Sequence, residues 1–388
     1  MKNGAIVYCE NQFGKQDGKT TNGLVRHSNR YDILGVIDSS LAGLDAGEYL
    51  DGERNGIPIF RDLDEAIVEL DEIPGYFIYG IAPLEAFLNE GQRKILLVAM
   101  DKGMNIVNGL HEFLNEDEEF ALKAKECGVR IIDVRKPRLK KDLHLYSGRI
   151  LDVKTPIVAV LGTDSAVGKR TTSMILVEAL SDAGLNVAFI ATGQTGLIQG
   201  AKFGVPLDAI VEEFMTGEVE NAVMDAYDEQ HPDIIIIEGQ GALSHPAYLS
   251  SCAIIRGAKL NGIIVQHPPK RKNLGDFPYV PMPSLESEIE LLEVFSKTKV
   301  IAITINHEDM TDNEVKEVIE QYERLYKIPT TDVLKNGCEK LVKQIFETYP
   351  ELTVECSSDW HETAQIANQP CENLAWCETL TDLKKHAH

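Results

Sequence analysis

From the N-terminus, short apolar runs alternate with segments of three-to-four periodicity. Residues 5–9, 31–37, 76–81, 104–108 and 129–134 read as strands, and 63–70 and 117–127 carry helical spacing. Alternation of this kind builds a parallel sheet. The first turn, 11–23, is long and rich in Gly and Lys; it ends in Lys19, Thr20 and Gly23, with Arg26 just beyond. It lacks a GxGxxG fingerprint, so the pattern supports a Rossmann-like fold and gives no grounds for a dinucleotide.

Residues 136–156 interrupt the alternation with prolines and the basic run KPRLKKDLHLYSGR, which reads as a domain connection with a solvated charged face. A second series follows at 157–161, 186–191, 234–237, 262–266 and 300–305. These runs are almost continuously apolar, as strands covered on both faces require. Helices after Asp312 and at 338–349 close this second sheet domain. The expected organisation is a Rossmann-like domain with linker over 1–150, a P-loop α/β domain over 151–350, and a polar, aperiodic appendage or tail over 351–388. No internal repeat is visible.

The composition, 44% hydrophobic and 26% charged over 388 residues, is that of a globular protein of two domains. The net charge of -23 disfavours nucleic acid and anionic membrane as partners, except at a local basic pocket. No stretch is long and apolar enough to span a bilayer, and the N-terminal residues lack the pattern of a signal peptide, so a cytoplasmic protein is expected. Seven cysteines, an odd number spread along the chain, suit reduced thiols. Cys356, Cys371 and Cys377 crowd His361 in the tail without CxxC spacing, a weak metal signature.

The most informative segment is IVAVLGTDSAVGKRTTSMILVEAL. A buried strand runs into Gly162, Thr163, Asp164, Ser165, Ala166, Val167, Gly168 and Lys169, and then into a helix through Arg170, Thr171 and Thr172. Loop amides, a helix dipole and an ammonium converge on one anion in such an order. Two departures from GxxxxGK[ST] matter. The first glycine lies one residue further from Gly168, and Arg170 stands where a magnesium-binding hydroxyl is usual. Thr171 is the next available hydroxyl, turned about 100° around the helix. Arg170 has two readings, a phosphate contact or a solvent-facing side chain.

In DIIIIEGQGALSHPAY, Glu238 ends a strand at the sheet's carboxyl edge, where it can hold Mg²⁺ or take a proton. Gly239, Gln240 and Gly241 then let backbone approach a ligand. His245 in the same loop is a candidate acid or base. Three other strand ends are expected at the crevice. They carry Thr192, Gln194 and Thr195; then His267, as an acid or base, beside Lys270 and Arg271 for substrate carboxylates; and Asn306, for a nucleobase edge. Arg26 is the residue through which the N-terminal domain would reach a shared pocket.

GTDSAVGK at 162–169 is similar to the P-loop of dethiobiotin synthetase, and EGQG at 238–241 resembles that family's acidic Gly-rich motif. Across nearly the whole chain the sequence resembles the DgcN-like family of D-glutamate N-acetyltransferases. That family pairs a Rossmann-like domain with a P-loop domain carrying GTD.AVGK..T, EGQG.L.HPAY and a later H.P.[KR], here His267, Pro269 and Arg271 or its neighbours. The resemblance implies acetyl transfer from acetyl-CoA to the amino group of an acidic amino acid, with Glu238 or His245 as base. The dethiobiotin-synthetase likeness implies instead a Mg-ATP-dependent ligase, with Thr171 and Glu238 at the metal. A nucleotide-sensing or metallochaperone protein is a third, non-enzymatic expectation. A small amino-acid substrate and assembly into a homo-oligomer complete the expected partners.

Overall fold

The computed structural model describes residues 3–83 and 87–352, and Met1–Pro350 form one compact unit. The tail thiols Cys356, Cys371 and Cys377, with His361, lie outside the described residues.

Among the described residues, thirteen strands form two parallel sheets. The first comprises β1 (Asn3–Tyr8), β2 (Tyr31–Ile37), β3 (Ile59–Phe60), β4 (Tyr76–Tyr79), β5 (Asn105–Asn108) and β6 (Ile131–Asp133), in the order β3-β2-β1-β4-β5-β6. This is the strand order of a doubly wound Rossmann sheet. The second comprises β7 (Ile157–Gly162), β8 (Val187–Ala191), β9 (Phe203–Gly204), β10 (Ile234–Glu238), β11 (Gly262–His267), β12 (Val300–Ile305) and β13 (Thr330–Thr331), in the order β13-β12-β11-β7-β10-β8-β9. The P-loop strand β7 is central, with β10 and β11 on either side. Every residue of β7, β10, β11 and β12 is buried, which is why these strands read as unbroken apolar runs.

Five helices carry residues of the site: α1 (Lys19–Arg26), α2 (Lys169–Asp182), α3 (Gln194–Gln199), α4 (Glu212–Gln230) and α5 (Ser250–Ala258). The segment expected as a solvated connection is instead docked on α4. Glu218 accepts the amide of His144, and Glu220 accepts those of Ser147 and Ile150. Ile150 and Val153 enter the core of the second domain. The basic residues 138, 140 and 141 remain on the outside. No helix among the described residues is long and apolar enough to cross a membrane.

The two domains are joined by polar contacts. The side-chain amide of Gln199, at the end of α3, donates to the carbonyls of Gly23 (2.8 Å) and His27 (2.7 Å) at the end of α1. The hydroxyls of Thr20 and Thr195 lie 2.8 Å apart. These contacts bring the carboxyl edges of both sheets to one cavity.

Candidate functional site

The cavity encloses about 1150 Å³ and is lined from both domains. Gly14, Lys15, Gln16 and Lys19 follow β1, Ala82 and Pro83 follow β4, His111 follows β5 and Arg135 follows β6. From the second domain come the P-loop after β7, residues 193–195 after β8, Asp208 after β9, Glu238 at the end of β10 with 239–241 after it, Arg271 and 273–276 after β11 and Asn306 after β12. Each of these lies at or beyond the carboxyl end of its strand, where open α/β sheets hold ligands. Seven Lys or Arg side chains and six Asp or Glu side chains line it, so the cavity escapes the strong negative balance of the chain as a whole.

Its floor is the P-loop. Ala166 (φ 49°) and Gly168 (φ 104°) take left-handed backbone conformations that fold the loop back on itself. Residues 165–171 all line the cavity. The amides of residues 166–171 donate to no acceptor among the described residues, whereas Thr163 and Thr172 on either side are bonded within the backbone. Six consecutive free donors at a helix N-terminus form an anion-binding nest.

Helix ends reinforce it. α1 to α5 all begin at the cavity, and none has a side-chain cap. Of the eight described α-helices that begin elsewhere, seven are capped by Asp, Asn, Ser or Thr, and Glu339–Thr348 is not. Five open positive helix ends therefore face the same volume.

Lys169 is buried, donates to the main-chain oxygen of Asp164, and lines the cavity. Burial lowers its pKa to about 8, against the opposing pull of Asp164 and Glu238. Glu238 is 6% exposed and also lines the cavity; its Oε2 accepts the Thr192 amide at 3.1 Å. Burial raises its pKa, opposed by Arg170, the Thr192 amide and Lys169. A buried carboxylate with a raised pKa beside an anion site is a candidate proton acceptor.

The loop is braced by side chains read from sequence as ligand contacts, Arg271 and Asn306 among them at the cavity lining. Arg271 grips Glu308 through two bonds of 2.7 Å, reaches Asp164 at 2.9 Å, and donates to the carbonyls of Ser165 and Ala166. Its guanidinium is committed to holding the loop. Asn306 donates to the Val167 carbonyl at 3.0 Å and accepts the Glu308 amide, so its amide shapes the loop as well. Thr172 turns inward to Gln266 (2.6 Å), and Thr163 meets His267 Nδ1 (2.9 Å). Thr171 lines the cavity.

Other expected positions move further. Lys270 is not among the cavity residues; it bonds the Asp309 carbonyl and Glu314, each at 2.7 Å. His267 lies under the P-loop, its pKa pushed down to about 4 by burial and Arg271, outside the lining. His245 is also outside it, stacked on Tyr248 at 4.3 Å between ring centroids. Its Nδ1 accepts the Ala247 amide, its Nε2 is buried 3.9 Å from Asp164 Oδ1, and burial lowers its pKa. Thr192 sits behind Glu238, with its hydroxyl on the Glu238 carbonyl. Arg170 does not face solvent: it lines the cavity, lies against Gly23 and donates to the Lys19 carbonyl at 3.4 Å, and its Nε is buried without an acceptor among the described residues.

Gln194, Thr195, Gly239, Gln240, Gly241 and Arg26 do line the cavity, although Arg26 is paired with Asp51 at 2.6 Å. Sequence reading did not single out Lys19, Arg135, Asp208, Tyr248 and Asp276 as site residues. Asp276 accepts from Gln16, Ser165 and Tyr248, which ties the first-domain loop to the P-loop. The signal for Lys19 and Arg135 was their place after strands β1 and β6.

Two profiles match this chain. One is a Rossmann-like domain of unknown function, DUF1611_N, over residues 39–137; the other is the DUF1611_C P-loop domain over 144–342. The chain belongs to the DUF1611 family. A DUF1611 protein of Anabaena variabilis, known from its crystal structure, is 30% identical; the match covers 89% of this chain and all of that one, with a TM-score of 0.81. Two curated relatives are named D-glutamate N-acetyltransferase. That of a Pseudoalteromonas species is 30% identical over 276 residues, 69% of this chain and 80% of its own length. That of Tritonibacter scottomollicae is 29% identical over 271 residues, 68% and 79% respectively.

Proposed function

We propose that this DUF1611 protein transfers an acetyl group from acetyl-CoA to the amino group of a small acidic amino acid such as D-glutamate. The observation that carries the reading is the row of unbonded amides at 166–171, backed by Lys169, beside the buried carboxylate of Glu238. The names of the two curated relatives point to the same reaction class.

The residues present fit such a donor. Loop amides and Lys169 would hold its diphosphate, and the cavity exceeds the roughly 300–1,000 Å³ common for small-molecule sites, leaving room for a second substrate. Acetyl-CoA supplies a thioester carbonyl. Glu238 would take one proton from the acceptor ammonium, because only the free amine is nucleophilic. The new N–C bond forms as the C–S bond breaks, and the ammonium's second departing proton ends on the leaving sulfur. The amides of the 239–241 turn, at the same sheet edge, would stabilise the developing negative oxygen.

A Mg-ATP-dependent ligase is the second reading, and one observation favours it: Thr171 and Glu238 both line the cavity beside Lys169, a hydroxyl and a carboxylate where Mg²⁺ could be held. One incubation separates the two. With D-glutamate and acetyl-CoA, transfer predicts equimolar free thiol and N-acetylated product by mass spectrometry. ADP release from Mg-ATP in the presence of the amino acid, without thiol release from acetyl-CoA, would overturn it.

A further inference from the structure

We propose that Lys19 and Arg135, on the wall contributed by the N-terminal domain, form the carboxylate subsite for a dicarboxylic amino acid. This inference rests on the acyl-transfer reading for the identity of the substrate, but not for the existence of the subsite.

Most cations at the cavity are already engaged. Arg271 holds Asp164 and Glu308, Arg26 holds Asp51, Lys15 reaches the Asn11 carbonyl, and Lys169 and Arg170 belong to the P-loop, Arg170 reaching the Lys19 carbonyl with its Nε left without an acceptor among the described residues. Lys19 is different. Its ammonium has no hydrogen bond and no ion pair among the described residues, although the side chain lines the cavity and is largely enclosed. The carboxylates acting on it do so at a distance, and one of them, Asp276, is already filled by Gln16, Ser165 and Tyr248.

Arg135 is 7% exposed and lines the same wall. Its Nη2 is fixed on Asp208 at 2.8 Å, which aims the guanidinium across the domain boundary, while its Nε is buried with no acceptor among the described residues. A buried guanidinium nitrogen without a partner is costly unless a ligand or water meets it. An arginine fork suits one carboxylate and a compact ammonium a second, so the pair matches a molecule carrying two. Asp208, with His111 at 3.7 Å, adds an acceptor for an amino group. The P-loop has its own row of amide donors and Lys169 for the donor, which leaves Lys19 and Arg135 to the second substrate.

The test is calorimetric and needs no turnover. D-glutamate and glutarate, the dicarboxylate lacking an amine, are titrated into the full chain and into Lys19→Met. Because the ammonium has no partner among the described residues, Lys19→Met orphans no group there and should fold. The expected result is dicarboxylate affinity weakened at least about tenfold with acetyl-CoA affinity within about twofold. Arg135→Lys, which keeps a cation for Asp208 and loses the fork, should weaken both dicarboxylates too. Unchanged dicarboxylate affinity in Lys19→Met, or loss of acetyl-CoA affinity alone, would overturn the subsite. So would absence of dicarboxylate binding by the unmodified protein, an outcome that leaves donor binding at Lys169 and acyl transfer standing.

Discussion

Lys169 is held where its own charge is disfavoured. Its pKa falls to about 8 from the usual 10.5 because the ammonium is buried, so between those values the unfolded chain binds more protons than the folded one. The penalty on stability is full below about pH 8 and is relieved as pH rises toward 10.5. Lys169→Met should therefore raise Tm by roughly 2–5 °C in the ligand-free protein at neutral pH, read by calorimetric scanning, and abolish donor affinity. Glu238 shifts in the opposite sense: burial raises its pKa, so the base is lost on the acid side of the profile. Glu238→Gln should lower kcat by about 10²–10⁴ with acetyl-CoA affinity retained, and the acidic limb of kcat for the unmodified enzyme should lie above the ordinary carboxylate range. The P-loop is legible in sequence because loop, lysine and helix are contiguous. Of the strand-end residues, Arg271 and Asn306 line the cavity while bonded to the P-loop, whereas His245, His267 and Lys270 sit at the same edge of the sheet outside the lining. Position at a strand end fixes height along the sheet, and packing decides which way a side chain turns. Thr163 bonds His267, whose ring lies 6.1 Å from that of Tyr322, and Glu308 takes Arg271.

Among the elements, length decides what a pattern can reveal. β2 and the helix Leu63–Leu70 match the hydrophobic pattern residue for residue, and the long buried strands of the second sheet lie within a residue or two of their apolar runs. β3, β9 and β13 have two residues each, too few for any periodicity, and exist because a neighbouring strand edge accepts them. Glycine after β10 has a packing reason: a Cβ on Gly239 would lie 2.2 Å from the carbonyl oxygen of Val160 in β7. Gly239→Ala must push the turn that carries Glu238 away from the P-loop strand. It should cost about 1–3 kcal/mol in denaturant unfolding and lower kcat more than it raises KM for either substrate. The uncapped starts of α1 to α5 are invisible in sequence as a group, since each is ordinary alone and they meet only in the folded chain.

At the scale of the molecule, a chain of net charge -23 gathers seven cations and five open helix ends around one cavity. Both sheets present their carboxyl edges there, so the N-terminal domain completes the site. Gln199 is a test of that coupling. It does not line the cavity, yet it satisfies two carbonyls at the end of α1. Gln199→Ala should cost about 1–3 kcal/mol of stability and reduce kcat/KM for the amino-acid acceptor, because it loosens the wall that carries Lys19. The two-domain layout is readable from the change in strand character near residue 156, but the facing of the two edges depends on contacts far apart in sequence.

The most direct measurement is calorimetric titration of acetyl-CoA into the full chain and into Lys169→Ala. An anion cradle at the P-loop predicts one saturable site in the unmodified protein and a loss of at least about tenfold in affinity in the variant. Equal affinity in the two proteins would contradict that cradle, and with it the acetyl-CoA-dependent function.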